Sequence, residues 1–258
     1  MSFHYFVVAC IAVAIVLGLL IVQRMFETAG QPPSYAAAFD KAFAPGFSAE
    51  TKTELQGEAL VEKVPFKVVE AGRLKLPSGQ ICAADPFVAL SDATPFTQHV
   101  PTGDFPVRLA VGEFPSGGSR VTFARVDFKI TPITRWSMAV VAGQDVKTLK
   151  RDHIFGYGVD AGTGSFFDPV AGKAAAELLK ADENAWEAWQ TEGEANGPKV
   201  IGPYSFLLNL PLGDANALMF HSGWGDGYYA SWFGYDAEGD VVALVTDFAT
   251  IDWATAKW

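Results

Sequence analysis

The chain has 258 residues, a formal net charge of −10 and a composition that is half hydrophobic. Such an acidic chain has no stripe of lysine and arginine to displace counterions from phosphates, so no nucleic-acid partner is expected, nor adsorption to anionic lipid. The charge permits, without requiring, a basic partner, either protein or small cation.

Phe6 to Val22 is an uninterrupted apolar run of seventeen residues. A bilayer core about 30 Å thick takes about 17–25 such residues, so residues 1–22 read as a single-pass N-terminal transmembrane anchor. A cleaved signal peptide would have a basic leader and a shorter apolar stretch, and this run has neither. Arg24 is the one basic residue close behind the run. By the positive-inside rule it points the globular domain to the cytoplasmic side.

Residues 23–57 read as a juxtamembrane linker, with Gln31-Pro32-Pro33 and Ala44-Pro45-Gly46 as its breakers. Within it, Ser34 is placed to cap a short helix through Phe43. From residue 58 to 258 the texture is that of one β-rich globular domain. Apolar residues alternate over Phe105–Val111, and Pro106 suits a sheet edge. Over Arg120–Ile130 the apolar parity shifts between Phe123 and Val126, which implies a bulge. Lys173–Gln190 carries a helical pattern, with Ala176, Leu179, Trp186 and Trp189 for its buried face. Gly193 and Gly197-Pro198 are expected to end it. Further strands are expected at Ser205–Leu210, Ala217–Phe220, Tyr228–Phe233 and Val241–Phe248. The turn Asp236–Asp240 makes a hairpin of its neighbours. The expected class is therefore α+β, dominated by antiparallel β-sheet with one main helical segment, behind an N-terminal transmembrane helix.

Three stretches are dense in glycine, aspartate and aromatics. Ser78–Pro86 ends in Asp85-Pro86. Phe155–Pro169 contains Asp160-Ala161-Gly162-Thr163-Gly164 and Asp168-Pro169. Ser222–Tyr228 contains Trp224-Gly225-Asp226-Gly227, with Thr246-Asp247-Phe248 downstream. At these residues, and over Gly72–Pro86, the chain resembles a mainly bacterial, uncharacterised family called domain of unknown function 4241. The likeness spans most of residues 58–250 and implies no activity, cofactor or catalytic residue. The apolar N-terminal run lies outside that pattern.

The candidate functional cluster is Asp85, Asp160, Thr163, Asp168, Trp224, Asp226, Tyr228 and Asp247. Asp160–Gly164 has the residues of a phosphate-cradling loop, as in actin-like ATPases, but no second phosphate loop accompanies it. The plainer reading is a tight strand–turn–strand, with glycines at positive φ and Asp160 capping amides. Trp224, Tyr228, Tyr229 and Trp232 beside Asp226 line a small-molecule pocket on one reading and fill the core on the other. The aspartates have the chemistry of hard-cation ligands, but their spacing matches no known loop, so no metal and no cofactor is expected. Cys82 is the sole cysteine after Cys10, and its apolar flanks suit a core thiol. His221 reads as a structural histidine. These features suggest a non-catalytic binding or protective, immunity-like module, with a protein among its expected partners. The alternative is a metal-assisted hydrolase using clustered aspartates.

Overall fold

The computed structural model describes residues 31–258 apart from 56–57 and 151–152. A helical turn, α1 (Ala38–Lys41), precedes strands β1 (Ser48–Leu55), β2 (Glu58–Leu76) and β3 (Cys82–Ala84). A second turn of helix, α2 (Pro86–Ala89), leads to β4 (Gly103–Phe114), β5 (Gly118–Asp127), β6 (Arg135–Met138), β7 (Tyr157–Val159) and β8 (Thr163–Phe167). Two longer helices follow, α3 (Pro169–Ala181) and α4 (Ala185–Val200). The chain closes with β9 (Leu207–Leu212), β10 (Ala215–His221), β11 (Gly227–Tyr229), β12 (Ser231–Tyr235) and β13 (Val241–Asp247).

All strand pairs are antiparallel, in sheets ordered β1-β2-β4-β5-β13-β12-β6, β3-β8-β10-β9 and β11-β7. The seven-stranded and four-stranded sheets face each other across an inner core that includes Leu74, Leu109, Leu244, Phe166 and Phe220. Side chains of opposite parity go to the outer layers. Phe167 and Met219 meet Ala171 and Trp189 of the helices. Phe123 and Trp232 meet Phe39 of α1 and Trp253 of the C-terminal segment. Strands such as β8 and β12 are therefore buried on both faces.

The β-rich α+β class and its antiparallel sheets are as expected, but the transmembrane part of that reading is corrected. Among the described residues no helix is long and apolar enough to cross a membrane. The run 6–22 lies outside the described residues. The single-pass membrane location, and with it the cytoplasmic placement drawn from Arg24, is withdrawn.

Residues 38–55, read from the sequence as part of a linker, are packed on the domain. Phe39 is fully buried, which contributes roughly 1.5–3 kcal/mol, and β1 pairs along its whole length with β2. Arg125 ties α1 to the sheet. Its Nη1 donates to the Phe39 carbonyl (3.1 Å) and to Asp40, and its Nε donates to Asp127 (2.7 Å). Arg108 completes the cluster on the other Asp127 oxygen, at 2.7 Å.

A bulge is present in β5, but it precedes Phe123 and does not lie between Phe123 and Val126, where the parity shift placed it. The β4–β5 register shifts at Ala110/Val111, where pairing jumps from Val121 to Phe123 and leaves Thr122 over. Pro106 sits in an interior strand, but it pairs only with Arg73 of β2, beyond the point where β5 begins to pair. The missing N–H is tolerated because β4 is locally an edge there.

The single expected helix is two. Asp182 ends α3, and α4 begins at Ala185. α4 then runs through Gly193, Gly197 and Pro198, the residues expected to end it. The two glycines serve close packing instead. A Cβ on Gly193 would lie 2.1 Å from the Phe206 ring, and one on Gly197 would lie 2.2 Å from the Ser205 carbonyl oxygen.

Candidate functional site

The three conspicuous sequence stretches converge on one turn, residues 160–162 between β7 and β8. Asp85 caps α2 with one carboxylate oxygen, which accepts from the Phe87 amide at 3.0 Å. Its other oxygen accepts from the amides of Asp160 (2.9 Å) and Ala161 (2.7 Å). From the opposite side Asp226 accepts from the Gly162 amide at 3.0 Å. The Ser222 amide donates to the Gly162 carbonyl at 3.0 Å. Gly162 itself has φ +60°, a conformation that few residues other than glycine adopt. Three successive amides that could cradle an anion are thus already filled by the protein's own carboxylates. The tight strand–turn–strand is present, with Asp85 and Asp226 as the capping groups for amides 160–162.

The remaining candidates lie elsewhere. Asp168 is fully buried, caps α3 through the Val170 amide (2.8 Å) and receives the Ser78 amide and hydroxyl (2.8 Å each). Trp224 is half exposed and lies under the Arg120 guanidinium, 4.9 Å from it. Tyr228 is also half exposed, and its hydroxyl accepts from the Gly156 amide at 3.0 Å. Tyr229 and Trp232 are buried in the inner and outer cores respectively. Cys82 is buried, and burial, then the charge of Asp168, pushes its thiol up to about 12.

Asp247 accepts from the Tyr35 hydroxyl (2.9 Å) and the Ala249 amide (2.8 Å). Burial outweighs both bonds and raises its carboxyl from 3.8 to about 6. The folded state therefore holds this proton more tightly than the unfolded chain does. The resulting stability is complete below about pH 4 and is lost as pH rises through about 6; a shift of about 2 units at 1.36 kcal/mol each makes it about 3 kcal/mol. Asp247→Asn is expected to flatten the pH dependence by about 2 kcal/mol between pH 4.5 and pH 7, part of the effect being already lost at pH 4.5, read from urea unfolding at the two pH values. Equal pH slopes in variant and parent would refute the assignment.

Among the described residues, no group of three His, Cys, Asp or Glu is placed to hold a metal ion. A cleft of about 490 Å³ lies between Gln98–Pro101 and Gly239–Val241, and a larger one of about 940 Å³ lies beside the 160–162 turn. One wall is a stripe of α4 at every fourth residue: Trp186, Gln190, Glu194 and Pro198. That spacing puts the four side chains along one face. The facing wall is Pro203–Phe206, which α4 approaches closely because Gly193 and Gly197 lack side chains. Between the walls lie Phe87, Ala161, Thr163 and His221. Of the eight sequence candidates, Thr163 lines this cleft; Asp85 and Asp226 brace the turn at its edge.

His221 ends β10, and its amide donates to the Phe206 carbonyl at 3.0 Å. Burial, then the nearby Arg120 charge, holds the imidazole below its ordinary value, so it is neutral at pH 7. Tyr204 has φ 59° and is 91% exposed. A bulky residue in this left-handed region costs on the order of 1 kcal/mol or more and needs surrounding structure to hold it. The α4 stripe is hidden in the sequence because its glycines have the signature of helix ends. Their four-residue spacing beside an equally spaced Trp-Gln-Glu-Pro series was the available signal.

Fold and site together define an antiparallel α+β domain with a surface cleft between a helix and a braced turn. The chain belongs to the family described as Protein of unknown function (DUF4241), whose profile matches residues 74–246. No curated protein and no solved structure matches the chain.

Proposed function

We propose that the domain is a non-catalytic binding module and that the cleft beside the 160–162 turn is its binding site. The observation that carries this reading is the combination of size and lining. A volume of about 940 Å³ suits a small organic molecule. The walls mix aromatic faces with a few polar groups at Thr163, Gln190, Ser205 and His221, the usual balance of a ligand site. The strained Tyr204 at this cleft supports the same reading. A protective, immunity-like role would use such a site, with the ligand or partner still to be identified.

The rival reading, metal-assisted hydrolysis by aspartates, needs several carboxylates on one reacting centre. Asp85 and Asp226 instead bond the amides of the turn, Asp168 bonds Ser78 and Asp247 bonds Tyr35. That distribution favours the binding module.

Gln190 is exposed on α4, so Gln190→Trp is expected to fill the cleft while leaving the fold intact. A fragment library screened by saturation-transfer NMR should give ligands that the parent binds and the variant does not. If every ligand found binds both proteins equally, the site is elsewhere and the reading fails.

A further inference from the structure

We propose that the cleft selects a small organic cation, its charged head held by Glu194 and the faces of Trp186 and Tyr204, with its apolar body along Phe87 and Phe206. This rests on the reading that the cleft is the binding site, and adds the chemical class of its ligand. Glu194 is the one carboxylate among the lining residues, and no lysine or arginine lines the cleft. Trp186 and Glu194 share the α4 stripe two turns apart, and both line the cleft. Indole and phenol rings attract cations through their negative faces, and a carboxylate adds an ion pair.

Four further features agree. His221 contributes no opposing charge at neutral pH, since burial and Arg120 keep it neutral. Arg120 itself does not line the cleft and is stacked on Trp224, 4.9 Å from the ring centroid. The net charge of −10 gives the whole surface a potential that draws cations toward it. Gln190 donates to Glu194 at 2.9 Å and holds its carboxylate over the cleft wall without neutralising it.

The test uses three matched probes with one apolar core: 2-phenylethylammonium, 2-phenylethanol and phenylacetate. Each is titrated into the full ¹⁵N-labelled chain, and the Trp186 indole N–H resonance, assigned with Trp186→Phe, is followed. The ammonium probe should bind about tenfold more tightly than the alcohol, and the anion more weakly still. Glu194→Gln should cut the preference to about threefold, and Trp186→Ala, followed through the Gln190 side-chain amide resonances instead, should remove most of the rest. Glu194 is exposed, so its variant should fold. Equal binding of ammonium and alcohol, or a preference for the anion, would overturn the inference and leave the cleft as the binding site. Failure of all three probes to move the resonance would count against both readings.

Discussion

Replacing Asp85 with alanine should lower the unfolding free energy by about 3 kcal/mol, through two part-buried amides at about 1 kcal/mol each and a lost helix cap at about 1. Asp85 is 1% exposed, so its carboxylate is shielded from solvent on the side away from the turn. Its two oxygens serve three amides on two elements, Phe87 of α2 and the pair Asp160–Ala161. A loss of that size is a large share of the roughly 5–15 kcal/mol by which domains of this kind are stable. The same turn offers an internal control. Asp226 accepts from the neighbouring Gly162 amide but is exposed, so Asp226→Ala should cost less than about 1 kcal/mol. Urea unfolding followed by tryptophan fluorescence compares the two. Similar costs for both substitutions would mean that burial of the brace does not matter.

The second large effect concerns the helix that walls the cleft. Gly197→Ala pits two terms of opposite sign against each other. Helix propensity favours alanine by about 1 kcal/mol. The new methyl would sit 2.2 Å from the Ser205 carbonyl oxygen, and because this is backbone it has no rotamer by which to escape. Overpacking of that kind costs about 1–3 kcal/mol, and the severity of the contact puts it at the upper end. A net loss of about 2 kcal/mol is expected, with ligands of the cleft lost as α4 moves outward. Gly193→Ala meets the Phe206 ring at 2.1 Å, a side chain that can turn, so its net cost should be smaller. A Gly197→Ala protein more stable than its parent would show that propensity wins and that the close approach is relaxed in solution.

Much of the fold can be read along the chain because it depends on local patterns. Alternation marks β4, continuous apolar runs mark β10 and β13, and the turn at Asp236–Asp240 marks the β12–β13 hairpin, which pairs from Ser231↔Thr246 to Tyr235↔Val241. The parity break between Phe123 and Val126 is equally local, but it reflects apolar residues on both faces of β5, and the bulge lies at Thr122 instead. Asp85-Pro86 and Asp168-Pro169 each carry the signature of a cap followed by proline in the first turn. The second use of each carboxylate is not legible, because its partners, Asp160 and Ala161 for one and Ser78 for the other, are brought in by sheet pairing. The extent of α4 is not legible for a related reason. A glycine that ends a helix and a glycine that lets a helix lie against a strand look alike until the strand is in place. The cleft draws on five separated stretches, so no window of sequence contains it. His221, with no catalytic partner nearby in sequence, gave no sign that it faces ligand space.

The outer face of the seven-stranded sheet has a consequence for how the protein is made. Tyr35 and Phe39 are covered by Trp253, and Tyr35 bonds Asp247, a partner 212 residues away. At about 5–20 residues per second, roughly 10–40 s of translation separate the two. During that interval Phe39, Phe123 and Trp136 have no C-terminal segment to shield them. Hydrophobic surface left waiting this long is what chaperones bind, and contacts so distant in sequence close slowly even in a finished chain. A nascent chain halted before Trp253 should therefore be captured by chaperones through this face of the sheet.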